Sequence, residues 1–218
     1  MNYPASIVTD NGKYKTHCLT IAGEIEGHNY CSNNVKTTKY EYVIPQLVAI
    51  EQEPSIDGLL VLINTIGGDV EAGLALAEIV AGMKKPTVSM VIGGGHSIGA
   101  PLAVAANVSF IAKSASIMLH PVRMDGTNLN VPQTFNYFQR MQDRITAFVS
   151  ENSKISPKRF RQLIRNTKEL SGDVGTVLDG TQAVEEGLID HTGNISQSFD
   201  CLYELIDKKK KAKCKTKK

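Results

Sequence analysis

The sequence predicts an α/β fold built on a mostly parallel sheet. A continuous apolar run at residues 59–63 and a mostly apolar segment at residues 87–92 are typical of strands that are covered on both faces. A glycine-rich turn and a segment with apolar residues at helical spacing follow each run. Strands that alternate with helices in this way favour parallel pairing, because the chain crosses over between neighbouring strands.

The rest of the chain continues this alternation of strands and helices. Residues 17–22 alternate in hydrophobicity and predict a first strand that Gly23 closes, and residues 28–38 have the composition of a loop. The other predicted elements, in chain order, are a helix at 40–51, a helix at 70–83, an Ala-rich helix ending near 106, strands at 108–112 and 115–119, helices at 131–149 and 157–165, and a final strand and helix between 174 and 206.

The net charge of +2 is unevenly distributed along the chain. Residues 207–218 hold eight of the 24 basic residues and one of the 22 acidic residues, which leaves 16 basic and 21 acidic residues in 1–206, a net charge of −5. We therefore expect a mobile arm at 1–16, one folded domain at 17–206 and a disordered Lys-rich tail at 207–218. Such a tail could attract anionic lipid or nucleic acid, but a solvated end is the simpler interpretation, and no nucleic-acid partner is expected.

The cysteines and the apolar segments indicate the cellular compartment. Four cysteines lie far apart with no C-x-x-C pair, which argues against a zinc site or a disulfide framework and favours a reducing, cytoplasmic location. The first 15 residues lack the apolar core of a signal peptide, and glycines, His96 and Pro101 interrupt the apolar region 87–119. We therefore expect no membrane span, and nothing in the sequence calls for a metal or an organic cofactor.

The strongest chemical motif is Gly-His-Ser-Ile-Gly at residues 95–99, on a predicted strand-to-helix turn. Glycines permit a sharp turn that exposes the hydroxyl of Ser97 at a helix N-terminus, where the amide of Ile98 can stabilise an oxyanion. Ser97 is therefore a candidate nucleophile. The alternative is a glycine-rich turn whose serine caps the following helix.

Two further sites complement this serine. Gly67 and Gly68 follow a buried strand and precede a helix, so their amides could supply a second oxyanion donor, although a tight turn alone would explain them. His120 directly follows the apolar run 117–119, and a serine nucleophile needs a neighbouring base such as imidazole. The alternative is a structural histidine at a strand end.

Several aspartates could orient the base. Asp173 and Asp179 lie in the segment 171–180, and spacing alone does not select between them and the more distant Asp125, Asp143 and Asp190. Asp173 follows a predicted helix and precedes an apolar segment, a position that can face the strand end carrying His120.

Four motifs in the same order resemble the Clp protease proteolytic subunit (ClpP) family. They are INTIGGDVEAG at 63–73, GGGHSIGA at 93–100, IMLHP at 117–121 and AVEEGLID at 183–190, and the resemblance covers about residues 17–206. It implies a ClpP/crotonase-type fold of repeated ββα units with a protruding long handle helix at about 131–150. It also implies a serine endopeptidase that cleaves peptides or unfolded proteins inside homo-oligomeric rings, heptameric and able to stack.

Carried over by motif, the resemblance assigns a role to each candidate residue. Ser97 is the nucleophile, His120 the general base, and Asp173 in DVGTVL the third member of the triad. The amides of Gly68 and Ile98 form the oxyanion hole.

The chain departs from the family pattern in four places. His96 occupies a position where the family usually has a small residue, and His120 is followed by proline rather than by the usual Gln-Pro. The spacing from Asp173 to Ala183 is about two residues longer than usual. Residues 28–38 form an insertion near the face that usually docks an unfoldase ATPase of the Clp type, which argues against that partner.

Three other functions remain open on the sequence. An esterase or lipase of the α/β-hydrolase fold also carries GHSIG, and its chain order would select Ser97, Asp173 and His191. An acyl-CoA enzyme of the crotonase fold would share the oxyanion amides but use carboxylates for catalysis. A non-catalytic scaffold would keep the fold and bind partners.

Overall fold

One nine-stranded sheet organises the residues that the structure, a computed structural model, describes: 6–123, 131–168 and 174–215. Its strands are β1 (Ser6–Asp10), β2 (Lys15–Glu26), β3 (Thr37–Lys39), β4 (Gly58–Gly68), β5 (Thr87–Gly95), β6 (Val108–Ile111), β7 (Ser116–Leu119), β8 (Thr176–Asp179) and β9 (His191–Thr192). The strands of the main path lie in the order β1-β2-β4-β5-β6-β9. From β2 to β9 every neighbouring pair is parallel, which confirms the predicted pairing.

Two antiparallel pairs extend this parallel centre. Strand β1 lies antiparallel to β2, and β7 lies antiparallel to β8. Strand β7 joins the main sheet through a single pair, Gly94 opposite Ser116. The sheet therefore pairs β7 with β5 at one position only, although His120, the candidate base, directly follows β7.

The helices cover both faces of the sheet. They are α1 (Tyr40–Gln52), α2 (Val70–Gly82), α3 (Gly99–Val104), α4 (Val131–Glu151), α5 (Pro157–Ile164), α6 (Gly180–Glu185) and α7 (Ile195–Lys215). Helix α4 is the predicted long helix: Phe135 and Tyr137 in its first half are exposed, whereas Met141, Ile145 and Phe148 in its second half are buried. None of the helices in the described part of the chain combines the length and the apolar character that a membrane span requires.

The buried residues form two clusters on opposite faces of the central strands. In β4, Leu59 and Val61 pack into the larger cluster with helices α1 to α3, while Leu60 packs into the smaller one. Leu202 and Ile206 of α7 complete the smaller cluster. The apolar run in β4 is continuous because successive side chains enter different cores.

Both predicted flexible ends are more ordered than the sequence indicates. Residues 6–10 of the predicted arm form β1, which pairs with β2, and residues 15–16 already belong to β2. Residues 207–215 of the predicted tail continue helix α7. Asp207 accepts a hydrogen bond from Tyr14 Oη (2.9 Å), and Lys210 lies 2.7 Å from a carboxylate oxygen of Asp57, so side chains near this end contact the domain.

Replacing Leu202 by alanine tests the contribution of α7 to the core. The side chain is fully buried, so Leu202→Ala should lower the free energy of unfolding by about 2–5 kcal/mol. The exposed Lys208 on the same helix is the control, and Lys208→Ala should change it by less than about 0.5 kcal/mol. Urea unfolding followed by circular dichroism measures both; equal effects would contradict the packing of α7 on the sheet.

Candidate active site

The turn between β5 and α3 places Ser97 in an unusual backbone conformation. Its φ is 54°, and it is the only residue other than glycine with a positive φ among the described residues. Two backbone hydrogen bonds hold the turn: His96 N–H donates to Thr65 O (3.1 Å), and Ser97 N–H donates to Met118 O (2.8 Å). A strained residue that is fixed by its surroundings in this way is typical of a functional site.

The Gly67–Gly68 turn lies directly against Ser97. Gly67 has a φ of 97°, and a Cβ there would lie 2.6 Å from Ser97 Cβ, so only glycine fits this position. Asp69 N–H donates to Ile25 O (2.9 Å), and its side chain caps α2. Gly68 lines the same pocket as Ser97, so the backbone of this turn borders the nucleophile.

His120 directly follows β7 and lines the same pocket as Ser97. Its Nδ1 lies 2.8 Å from Pro121 O. Since a carbonyl oxygen only accepts, Nδ1 carries the hydrogen, and the lone pair of the neutral ring is on Nε2. Within the described residues no hydrogen bond joins Ser97 Oγ to His120.

The pocket has a volume of about 140 Å³ and an apolar wall. Helix α4 contributes Gln142 and Ile145, and helix α5 contributes Phe160 and Ile164. Gln142 Oε1 accepts a hydrogen bond from Val122 N–H (3.0 Å), which ties α4 to the chain just after the histidine. The lining residues are Gly68, Val70, Ser97, Ile98, Leu119, His120, Pro121, Val122, Arg123, Gln142, Ile145, Phe160 and Ile164.

The two aspartates that the sequence left as alternatives differ in their placement. Asp179 caps α6, where its side chain accepts hydrogen bonds from Thr181 N–H and Gln182 N–H, and it pairs with Ser116 at the far end of β7 from the histidine. Asp173 lies outside the described residues. A Cβ on Gly175, two positions later in the sequence, would lie 3.1 Å from His120 Cβ, so the chain at Gly175 lies against the base.

His191 and His96 differ in their contacts with the rest of the site. His191 belongs to β9, next to Phe110 and outside the pocket, so it is not placed to serve Ser97. The Nδ1 atom of His96 accepts a hydrogen bond from Met118 N–H (3.0 Å). Burial lowers the pKa of His96, and a smaller contribution comes from the charge of His120.

The sequence did not predict the hydrogen bond of Gln142 to Val122 or that of His96 to Met118. Each forms a hydrogen bond with a backbone N–H 20 or 22 residues away. Neither residue belongs to a motif that defines these partners, because the contacts depend on how β7 and α4 pack. The only available signal for His96 was its replacement of the family's usual small residue.

The chain matches known proteins over most of its length. The Clp protease family model matches residues 15–195. A relative named translocation-enhancing protein TepA, from Halalkalibacterium halodurans, is 55% identical over 192 residues, which are 88% of this chain and 75% of the relative. An ATP-dependent Clp protease proteolytic subunit from Cyanophora paradoxa is 26% identical over 156 residues, 68% of this chain and 75% of that protein.

A solved structure gives the fold. A mutant of ClpP1 from Listeria monocytogenes superposes with a TM-score of 0.66 over 82% of this chain and 92% of the other, at 21% identity. The arrangement of strands and helices is thus the ClpP fold, as the sequence motifs imply.

Substituting Gly67 tests whether this turn is confined by Ser97. Gly67→Ala should lower the free energy of unfolding by more than about 1 kcal/mol, because the left-handed conformation alone costs an L-residue about 1–2 kcal/mol and the new Cβ meets the serine. Gly82 is the matched control, since a Cβ there has nothing within 4 Å, and Gly82→Ala should be neutral or stabilise by up to about 1 kcal/mol. Chemical denaturation measures both changes, and a neutral Gly67→Ala would contradict the close approach.

Proposed function

The chain belongs to the Clp protease family, and from that premise we propose that it is a serine endopeptidase whose nucleophile is Ser97. The observation that carries the proposal is that these groups line one pocket of about 140 Å³. The strained Ser97, the Gly67–Gly68 turn and His120, with its lone pair on Nε2, all meet there. Peptides and unfolded proteins are the proposed substrates.

The proposed mechanism is acyl transfer in two steps. Ser97 Oγ attacks the peptide carbonyl while His120 Nε2 takes its proton, and the imidazolium then protonates the leaving amine. The N–H groups of Gly68 and Ile98 stabilise the oxyanion of each tetrahedral intermediate. A water molecule then attacks the acyl-enzyme while His120 Nε2 takes its proton. The bond between the acyl carbon and Ser97 Oγ breaks, the imidazolium returns the proton to Ser97 Oγ, and the acid product leaves.

We propose Asp173 as the residue that orients His120. Two observations favour it over Asp179: Gly175 approaches His120 closely, and the carboxylate of Asp179 is used as the cap of α6. The Pro121 carbonyl holds the Nδ1 hydrogen in the present arrangement. In the proposed cycle the carboxylate takes over this hydrogen when the imidazolium forms, because a charged acceptor stabilises the imidazolium better than a carbonyl does.

Assembly into rings is proposed from the family and from one surface. Phe135 and Tyr137 expose apolar rings on the outer half of α4, and exposed apolar groups on a rigid element are typical of subunit contacts. A ring that encloses the pockets would admit only short or unfolded chains. We place this enzyme in the cytoplasm, in keeping with its four free cysteines.

One observation favours a second function, a binding protein on the same fold. The absence of a hydrogen bond between Ser97 and His120 in the described residues leaves the nucleophile without a direct base. The 55% identical relative is named for enhancing translocation rather than for proteolysis. A non-catalytic scaffold would retain the pocket and bind chains without cleaving them.

Labelling with a fluorophosphonate probe separates these functions. The probe reacts with activated serine hydroxyls, so the assembled wild-type protein should be labelled at Ser97 and Ser97→Ala should not be labelled at all. His120→Ala should lower the labelling rate by about 10²- to 10⁴-fold, because the general base is lost. His191→Ala is the control histidine and should be labelled at the wild-type rate. Intact-protein mass spectrometry over time measures each rate.

The aspartates offer a matched pair in the same assay. Asp173→Asn should slow labelling strongly because the orienting charge is lost, whereas Asp179→Asn should not, since asparagine also caps helices well. Labelling that survives His120→Ala but is lost in His191→Ala would indicate an esterase instead. No labelling of the assembled wild-type protein would refute catalysis and leave the binding protein.

The pocket predicts a preference for the side chain before the cleaved bond. Ile145, Phe160 and Ile164 form an apolar wall, so short peptide esters with leucine should react faster than those with alanine or lysine. The leucine-to-alanine ratio of kcat/KM should be at least about tenfold, since an apolar pocket discriminates about 10-fold or more per methylene. Equal values for leucine and alanine would mean that the side chain binds elsewhere.

A further inference from the structure

The imidazole of His96 connects the nucleophile turn to the strand that carries His120. Its Nδ1 accepts the hydrogen bond from Met118 N–H, and the ring lies against Gly94, where a Cβ would come within 2.8 Å of Nε2. Met118 is two residues before His120 and uses its carbonyl oxygen to accept from Ser97 N–H. Both backbone groups of this one residue therefore bind to the nucleophile turn.

These two hydrogen bonds join the nucleophile turn to β7 beyond the one position where β5 and β7 pair in the sheet. Strand β7 pairs with β5 only at Gly94 and Ser116, and β5 ends at Gly95, before the level of Met118. On its other side β7 is held by β8 along its whole length. The Nδ1 atom of His96 thus replaces a backbone carbonyl as the acceptor and extends the contact between β5 and β7 towards His120.

The chemistry of the imidazole fits an acceptor role. Nδ1 accepts only when it carries no hydrogen, which requires the neutral ring with its hydrogen on Nε2. The lowered pKa of His96 keeps the ring neutral at pH values where an exposed histidine would already bind a proton. Burial is the main cause of this lowered pKa, and the proximity of His120 adds to it.

We propose that His96 is a positioning residue, whose Nδ1 fixes the distance between Ser97 and His120 by holding Met118 N–H. The proposal rests on the proposed function for its effect on rate. The hydrogen bond from Met118 N–H to His96 Nδ1 can be tested whether or not the protein is catalytic.

Two substitutions at this position test the role. His96→Ala removes the acceptor, and it should lower the rate constant of fluorophosphonate labelling by about 10²-fold, the cost of a small misplacement at a reacting centre. The concentration of probe that gives half the maximal rate should stay unchanged, because no contact with the probe is lost. His96→Asn returns an oxygen near the position of Nδ1 and should restore most of the rate. His191→Ala is the control for loss of a histidine.

Hydrogen-exchange mass spectrometry of the same variants measures the hold on Met118 directly. Exchange of the Met118 amide should rise in His96→Ala and return towards the wild-type level in His96→Asn. Wild-type exchange and wild-type labelling in His96→Ala would overturn the proposal, as would a loss in His96→Asn equal to that in His96→Ala. If the wild type is not labelled at all, the proposed function fails, and the exchange measurement alone then decides whether His96 holds the strand.

Discussion

The backbone of Ser97 adopts a left-handed conformation that costs a residue with a Cβ about 1–2 kcal/mol, and it persists only because neighbouring strands hold it. Thr65 at the end of β4 and Met118 in β7 accept hydrogen bonds from His96 N–H and Ser97 N–H. Gly67 has no Cβ and so leaves room for the serine. The ends of β4, β5 and β7 therefore determine the orientation of the Ser97 hydroxyl. This is why the site depends on the sheet rather than on the local motif alone.

The sheet can fix these strand ends because it is buried on both faces. Leu60 in β4 faces α7, while Leu59 faces the helices on the other side. The sequence predicts this from a continuous apolar run, since a strand exposed on one face would alternate. It does not predict that α7 continues through Lys215, because lysines without apolar spacing resemble a disordered tail. Lysine is a good helix former, however, and its charge is favourable at a helix C-terminus.

The candidate residues could be predicted to the extent that each lies within a local motif. Ser97 and Ile98 belong to a glycine-rich turn after a strand, and His120 follows an apolar run, so composition and order named them as candidates. Gly68 was chosen over Gly67 only through the resemblance of the ordered motifs to the Clp protease family. The acceptors for these groups could not be selected in this way. The Pro121 carbonyl carries no sequence signal, and Gln142 reaches Val122 only through the packing of α4. The sequence also could not give the register of β7 and β8, which puts Asp179 beside Ser116, at the end of β7 far from His120.

Helix α4 contacts both halves of the pocket, and this links the alignment of the site to the position of one helix. Gln142 holds the chain after His120, and Arg144 forms a bidentate pair with Glu71 (2.7 and 3.1 Å) on α2, the helix that follows the Gly67–Gly68 turn. The Arg144 guanidinium lowers the pKa of Glu71 chiefly through these hydrogen bonds. Both partners are partly exposed, so the pair adds only about 0–1 kcal/mol of stability. Its importance is geometric: a shift of α4 along its axis would move the histidine segment and the first turn of α2 together. The exposed outer half of α4 carries apolar rings, so contacts made there by another subunit would reach the pocket through the helix itself.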